Sequence, residues 1–206
     1  MALPARDNLI SRRSWLLAGL AVPLFRARAA SLDVSFDGDN LRPVAPNLHF
    51  LSGRALERLK YADTVLFLSQ ITVFREDHAT VFRQVPQRYY VSYDVWEERF
   101  KVTIPGATPQ SRWGLTAAQA ESWCLENATV SVLGMVPDQY FWLRYDLRTA
   151  DPKDYSRVVG DTGISIRAFI ELFSRPPGPR EPHWMLETRM RLKDLRRVVG
   201  RGPGNG

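Results

Sequence analysis

The chain has one cysteine, three histidines and no apolar run long enough to anchor it in a bilayer. Each scarcity removes a class of protein. A single Cys124 allows no internal disulfide, so core packing must hold the fold together even in an oxidising compartment. His49, His78 and His183 stand far apart with no partner at ligand spacing, whereas zinc needs several N, S or O ligands that converge. No metal and no cofactor is expected. There is no G-x-S-x-G, and Gly160-Asp161-Thr162-Gly163 lacks the lysine of a phosphate loop and reads as a turn. The longest early apolar stretch, Trp15 to Phe25, has 11 residues. As a helix it spans roughly 16 Å, about half the hydrocarbon thickness of a membrane, so no transmembrane span is expected in the mature protein.

What is present begins with an address. Ser11-Arg12-Arg13-Ser14-Trp15-Leu16-Leu17 leads into the apolar stretch, and small residues follow at Ala27 and Ala29, the spacing a signal peptidase reads. Arg12 and Arg13 before a modest apolar run resemble a twin-arginine export signal, with Trp15 where that pattern has Phe or another large apolar residue and Leu17 where it often has Lys. An ordinary secretory signal is the alternative. Leu20 stands where a lipoprotein would carry its modified cysteine. The expected organisation is a signal peptide over residues 1–29, one β-rich domain over 30–200 and a disordered Gly/Pro-rich tail over 201–206. The expected location is the periplasm or beyond.

Export changes the meaning of the charge. The whole chain has 28 Lys+Arg against 22 Asp+Glu, but the signal takes away Arg6, Arg12, Arg13, Arg26, Arg28 and Asp7, leaving 23 against 21. The basic excess therefore belongs to the signal, and nucleic acid is not an expected partner.

In the mature chain the dominant period is two. Leu32, Val34 and Phe36 mark an opening strand. Thr64–Arg75 is apolar on both faces, the mark of a central strand covered twice. Tyr89, Val91, Tyr93 and Val95 share one face, and then the phase changes to Trp96, Phe100, Val102 and Ile104. A turn near residues 95–98 or a bulge explains the change. Phe141 to Leu147 and Trp184 to Leu192 are cleanly alternating strands. Three segments read as helix. Ser52 is placed to cap Arg54–Tyr61, with Leu56 and Leu59 inward. Thr116 and Gln119 form a capping box before a helix to about Glu126 that buries Ala120, Trp123 and Cys124. Ser165 is placed to cap a third helix, whose stripe is Ile166, Phe169, Ile170 and Phe173. Hairpin-length connections leave no room for parallel crossovers. The expected fold class is α+β, mostly β: a single antiparallel β-sandwich-like domain with about three short helices.

No residue is nominated as catalytic. Cys124 on an inward helix face reads as an inert thiol. Glu76-Asp77 and Glu97-Glu98 read as solvated turn charge. Asp33, Asp37 and Asp39 lack the bidentate acid of a calcium loop. Arg189, Arg191 and Lys193, followed by Arg196, Arg197 and Arg201, are the one basic cluster and read as a solvated strand face. The residues that stand out are Tyr140, Trp142 and Arg144. They alternate with the core face of their strand, so either another layer covers them or they are exposed. If exposed, they form an aromatic pair rimmed by arginine, the composition of an interface hot spot.

The long strand Thr64–Arg75, the segment Tyr89-Tyr90-Val91-Ser92-Tyr93-Asp94 to Phe100, the helix with Trp123 and the strand Tyr140–Leu147 together resemble an uncharacterised family of exported bacterial proteins, a domain of unknown function. The resemblance runs from Leu32 to Leu195. Ile170-Glu171-Leu172-Phe173-Ser174-Arg175 with Leu192-Lys193-Asp194-Leu195 is similar to a subgroup of it. In some members the gene neighbours a membrane sensor kinase, so the resemblance implies a link to envelope signalling. No catalytic residue comes with it. The functional expectation is a non-catalytic binding or accessory module whose partner is an envelope protein or an apolar ligand, apart from the export machinery that reads its signal. The alternative is an enzyme of an unrecognised hydrolase type using scattered acids.

Overall fold

The computed structural model describes residues 31–150, 159–160, 163–164, 166–178 and 181–196. The export residues Arg12, Arg13, Ala27 and Ala29, the cap Ser165 and the tail lie outside them.

The fold is built around β3 (Val65–Phe74), whose first nine residues are buried on both faces. A strand with two apolar faces must have neighbours on both edges and cover on both sides. On one edge it pairs with β4 (Val81–Asp94), which continues as a meander into β5 (Arg99–Ile104) and β6 (Gln110–Leu115). On the other edge it pairs with β8 (Tyr140–Thr149), and β11 (His183–Arg191) closes that side. The sheet order is β11-β8-β3-β4-β5-β6, antiparallel throughout. A second antiparallel sheet holds β1 (Asp33–Phe36), β2 (Asn40–Val44) and β7 (Val130–Ser131). A two-residue ribbon pairs β9 (Val159–Gly160) with β10 (Gly163–Ile164).

The phase change in the sequence is a turn. Asp94 ends β4, residues 95–98 turn, and Arg99 opens β5. Bulges occur elsewhere. In β6 the register slips by one residue opposite Phe100 to Val102, and Gly114 takes φ +72° there, a left-handed conformation that glycine adopts without a Cβ penalty.

One core face carries Val65, Phe67, Ile71 and Val73 of β3 with Phe141, Leu143, Tyr145 and Leu147 of β8. Over it lie the smaller sheet, α1 (Gly53–Lys60) and α2 (Ala117–Glu126). Phe50 packs edge-on against Phe67 at 5.0 Å. The opposite, outer face carries Leu66 and Leu68, which with Ala150 form a smaller cluster under α3 (Ile166–Ser174). The architecture is thus α+β and mostly β.

Local expectations in all three helices need correction. Ser52 stands at the start of α1, but its hydroxyl donates to the His49 carbonyl at 3.0 Å and caps nothing. In α1, Ala55 and Leu59 are buried and Leu56 only partly so. The Thr116–Gln119 capping box does form, but Glu121 and Leu125 are buried where Trp123 was expected, and Trp123 is half-buried. The cause is a polar tie: Glu121 accepts from the Leu51 amide at 2.7 Å and contacts His49 at 3.1 Å, which rotates the helix towards that loop. In α3, Phe169 and Leu172 are buried while Ile170 is exposed. The run is apolar on two adjacent sides, and the stacking of the Arg148 guanidinium on Phe173, 4.9 Å from the ring centre, holds that ring at the margin. The Phe169→Ala variant should lose about 3–5 kcal/mol, and Phe173→Ala clearly less, as read by chemical denaturation. Equal losses would mean that α3 docks in another rotation.

Candidate functional site

The outer face beyond α3 is where the nominated residues lie. Inward burial of Phe141, Leu143 and Tyr145 forces Tyr140, Trp142 and Arg144 to the other side of β8. Antiparallel register then selects their neighbours. Trp142 lies between Phe74 of β3 and Arg189 of β11, Arg144 between Thr72 and Glu187, and Tyr140 opposite Arg191. The Arg189 guanidinium stacks over Tyr140 at 4.1 Å and reaches Trp142 at 5.9 Å. Arg191 also lies over Tyr140, at 4.7 Å, and Arg144 lies over Phe74 at 4.8 Å. The result is a ladder of alternating rings and guanidinium planes. Each such contact is worth about 0.5–1 kcal/mol at exposed sites and more when desolvated. Tyr140, Trp142 and Arg144 are all half-buried. They lie neither open to solvent nor under a described helix. Their cover is side chains from β11 and from one loop.

That loop joins β3 to β4 and supplies His78. Its carboxylate clamp is Asp77, whose Oδ1 accepts from the Ala79 and Thr80 amides at 3.0 and 2.8 Å. Hydrogen bonds from the Thr80 hydroxyl and then from these amides hold the Asp77 carboxyl below its ordinary range. The turn puts His78 at φ +57°, a conformation a non-glycine residue keeps only where its surroundings fix it. Its ring meets Trp142 at 4.6 Å and Phe74 at 5.4 Å. Its Nε2 lies 2.7 Å from Glu187 Oε1. Arg144 Nη2 lies 3.4 Å from the same ring nitrogen. Arg144 donates to the same oxygen through Nε at 3.1 Å. Glu187 therefore ties loop, β8 and β11 together.

Three residues of the basic cluster are paired where they stand, and Arg196 beyond them is exposed. Arg189 pairs with Glu76 at 3.1 Å, Arg191 with Asp194 at 2.7 Å, and Lys193 with Asp138 at 2.6 Å. Lys193 belongs to a short 3-10 turn after β11, not to the strand. Hydrogen bonding to Lys193 lowers the Asp138 carboxyl, and hydrogen bonding to Asp194 raises the Arg191 guanidinium. With Arg144 on Glu187, every cation named in the ladder has its own carboxylate. Arg197 and Arg201 lie outside the described residues.

Elsewhere, Cys124 is buried and desolvation pushes its thiol far above the ordinary range. Tyr89 donates to the Cys124 carbonyl at 2.9 Å in the same dry core. Asp37 closes a turn by accepting from the Asp39 and Asn40 amides at 3.2 and 2.8 Å. Each histidine has a carboxylate partner: Glu121 for His49, Glu187 for His78 and Asp146, at 3.0 Å, for His183. Among the described residues no group of three or more His, Cys, Asp or Glu converges as a metal site, and no helix is long and apolar enough to cross a membrane. Phe74, His78 and Glu187 escaped sequence reasoning, because only the β3–β8–β11 register brings them to Trp142.

Comparison with family models, with curated proteins and with solved structures gave no significant match.

The clamp has a pH sign. A carboxyl held below its usual value adds stability above that value, and the contribution is lost as pH falls through the folded-state pKa. Amide protection of Ala79 and Thr80 should therefore persist above 3.8, the ordinary Asp value, and disappear only at lower pH. Loss of protection near neutrality would show that Asp77 does not hold this loop.

Proposed function

We propose that the chain is an exported, non-catalytic binding module of the bacterial envelope, and that the ladder around Tyr140, Trp142 and Arg144 is its contact surface for an envelope protein. One observation carries this reading. Two large rings keep part of their surface while stacked arginines and a strained histidine lock their positions. Ordered aromatic and arginine side chains contribute binding energy at low entropic cost, and they dominate interface hot spots. The paired charges favour a folded protein partner over a polyanion, since Arg144, Arg189 and Arg191 each already hold a carboxylate. Envelope signalling enters through the resemblance described above.

A hydrolase is the second reading. It draws on the His78–Glu187 and His183–Asp146 contacts, two oriented imidazoles on one sheet face. It ranks lower because, among the described residues, neither imidazole meets a hydroxyl or thiol nucleophile. Hydrolysis that is abolished in His78→Gln or His183→Gln would reverse the ranking.

Export is tested by Lys substitution at both Arg12 and Arg13. Precursor should accumulate in the cytoplasm, and normal export of the double variant would refute the twin-arginine route. Binding is tested by Trp142→Ala, measured for unfolding and for capture of a partner from envelope extract. The stability loss should stay below about 2 kcal/mol, smaller than for a core tryptophan, while capture disappears. Trp96→Ala is the control: Trp96 is 96% exposed at the β4–β5 turn, and its loss should leave capture intact. Unchanged capture by Trp142→Ala, or a core-sized loss of stability, would sink the proposal.

A further inference from the structure

A second cluster on the outer face is separate from the ladder. Leu68 of β3 has Arg88 of β4 directly opposite on one side and Arg148 of β8 on the other. Gln70 follows on the same face and is diagonal to both arginines. Three polar atoms here are buried without a hydrogen-bond partner: Arg88 Nε, Arg148 Nε and Gln70 Oε1. Arg148 and Gln70 are 4% and 7% exposed. Arg88 is half-buried and has no ion pair among the described residues.

The groups around them are already committed. Arg148 Nη1 donates to the Leu172 and Arg175 carbonyls, both at 3.0 Å, and its guanidinium plane rests on Phe173. Gln70 Nε2 donates to Thr72 Oγ1 at 3.2 Å. Asp146, the carboxylate opposite Gln70, contacts His183. Two cationic N–H donors are thus left wanting an acceptor, and one carbonyl is left wanting a donor. Buried polar groups in folded proteins are rarely unpaired, and three gathered on adjacent strands ask for one explanation.

We propose that Arg88, Gln70 and Arg148 form a binding site for a small oxyanion that carries its own hydroxyl, a protonated phosphate or a hydroxycarboxylate. The anionic oxygens accept from the two Nε–H groups, charge-assisted bonds of the strong kind. The hydroxyl donates to the Gln70 carbonyl. A plain halide satisfies the arginines but not the glutamine. The site is independent of the proposed partner surface and stands whether or not that surface binds a protein.

The arginine Nε–Hε resonances of the purified protein report the site directly. They are followed while inorganic phosphate, lactate or, at matched ionic strength, chloride is added. Phosphate or lactate should move the Arg88 and Arg148 signals saturably and chloride should not; the arm that responds identifies the anion class. Arg88→Met should weaken the response about tenfold or more, the loss expected for one charged hydrogen bond. Gln70→Glu supplies an internal carboxylate, so it should raise the melting temperature and abolish the response. No saturable shift with either anion, a chloride response as strong as theirs, or an unchanged response in either variant would overturn the assignment.

Discussion

The rest of the structure depends on the burial of β3 on both faces. Val65, Phe67, Ile71 and Val73 need one apolar layer, and Leu66 and Leu68 need another. A strand so placed cannot lie at an edge. It must recruit β4 locally, through the hairpin, and β8 from far along the chain. The β8 pairing is the costly one, because a long loop has to close before any contact rewards it. Once made, it fixes every neighbour on the outer face. A slip of one residue would turn Trp142 into the core and Phe141 out of it.

The outer face divides along the strands. Where β3 presents Leu66 and Leu68, a short helix covers it through Phe169 and Leu172. Further along, the same strand presents Gln70, Thr72 and Phe74, and cover comes from long side chains on the flanking strands. Thr72 is 2% exposed with Gln84 and Arg144 as its register partners. Arginine can roof a sheet in this way because its stem is apolar while its head stays hydrated. Stacking on a ring then removes much of the freedom that such a head would otherwise keep. Glu187 completes the roof by accepting from Arg144 and contacting His78 with the same oxygen, so edge strand, inner strand and loop share one carboxylate.

Much of this fold was legible in the sequence because its signals are local. Alternation in residues 140–148, the double apolar face of Thr64–Arg75 and the Thr116–Gln119 capping box each report on neighbouring residues. The same alternation placed Tyr140, Trp142 and Arg144 together on the face away from the core. What was not legible was non-local or lacked apolar contrast. β6 is exposed at five of its six positions, and β2 contains Pro43, so neither shows a clean period. The start of β4, with Arg83, Gln84, Pro86 and Gln87, is polar for the same reason, since its cover is partial. Glu187 is 109 residues from His78, and nothing in either neighbourhood announces the pair. The choice between covered and exposed for Trp142 had a third answer, cover by side chains, which no pattern of apolar residues encodes.

Charge pairing within the ladder limits what this face can do at a distance. A patch whose arginines each hold a carboxylate produces little net field beyond the screening length, so it does not gather polyanions or speed their encounter. At contact the balance differs. Rings and guanidinium planes already in place have little entropy left to lose, and exposed pairs such as Arg189–Glu76 are individually weak, with about 0–1 kcal/mol to give up. A partner able to offer its own carboxylate to Arg189 while covering Tyr140 would exchange one weak ion pair for another and gain the ring surface besides. Discrimination at such a face comes from shape and from the fixed order of rings and guanidinium planes, and that order follows from the register of β8 between β3 and β11.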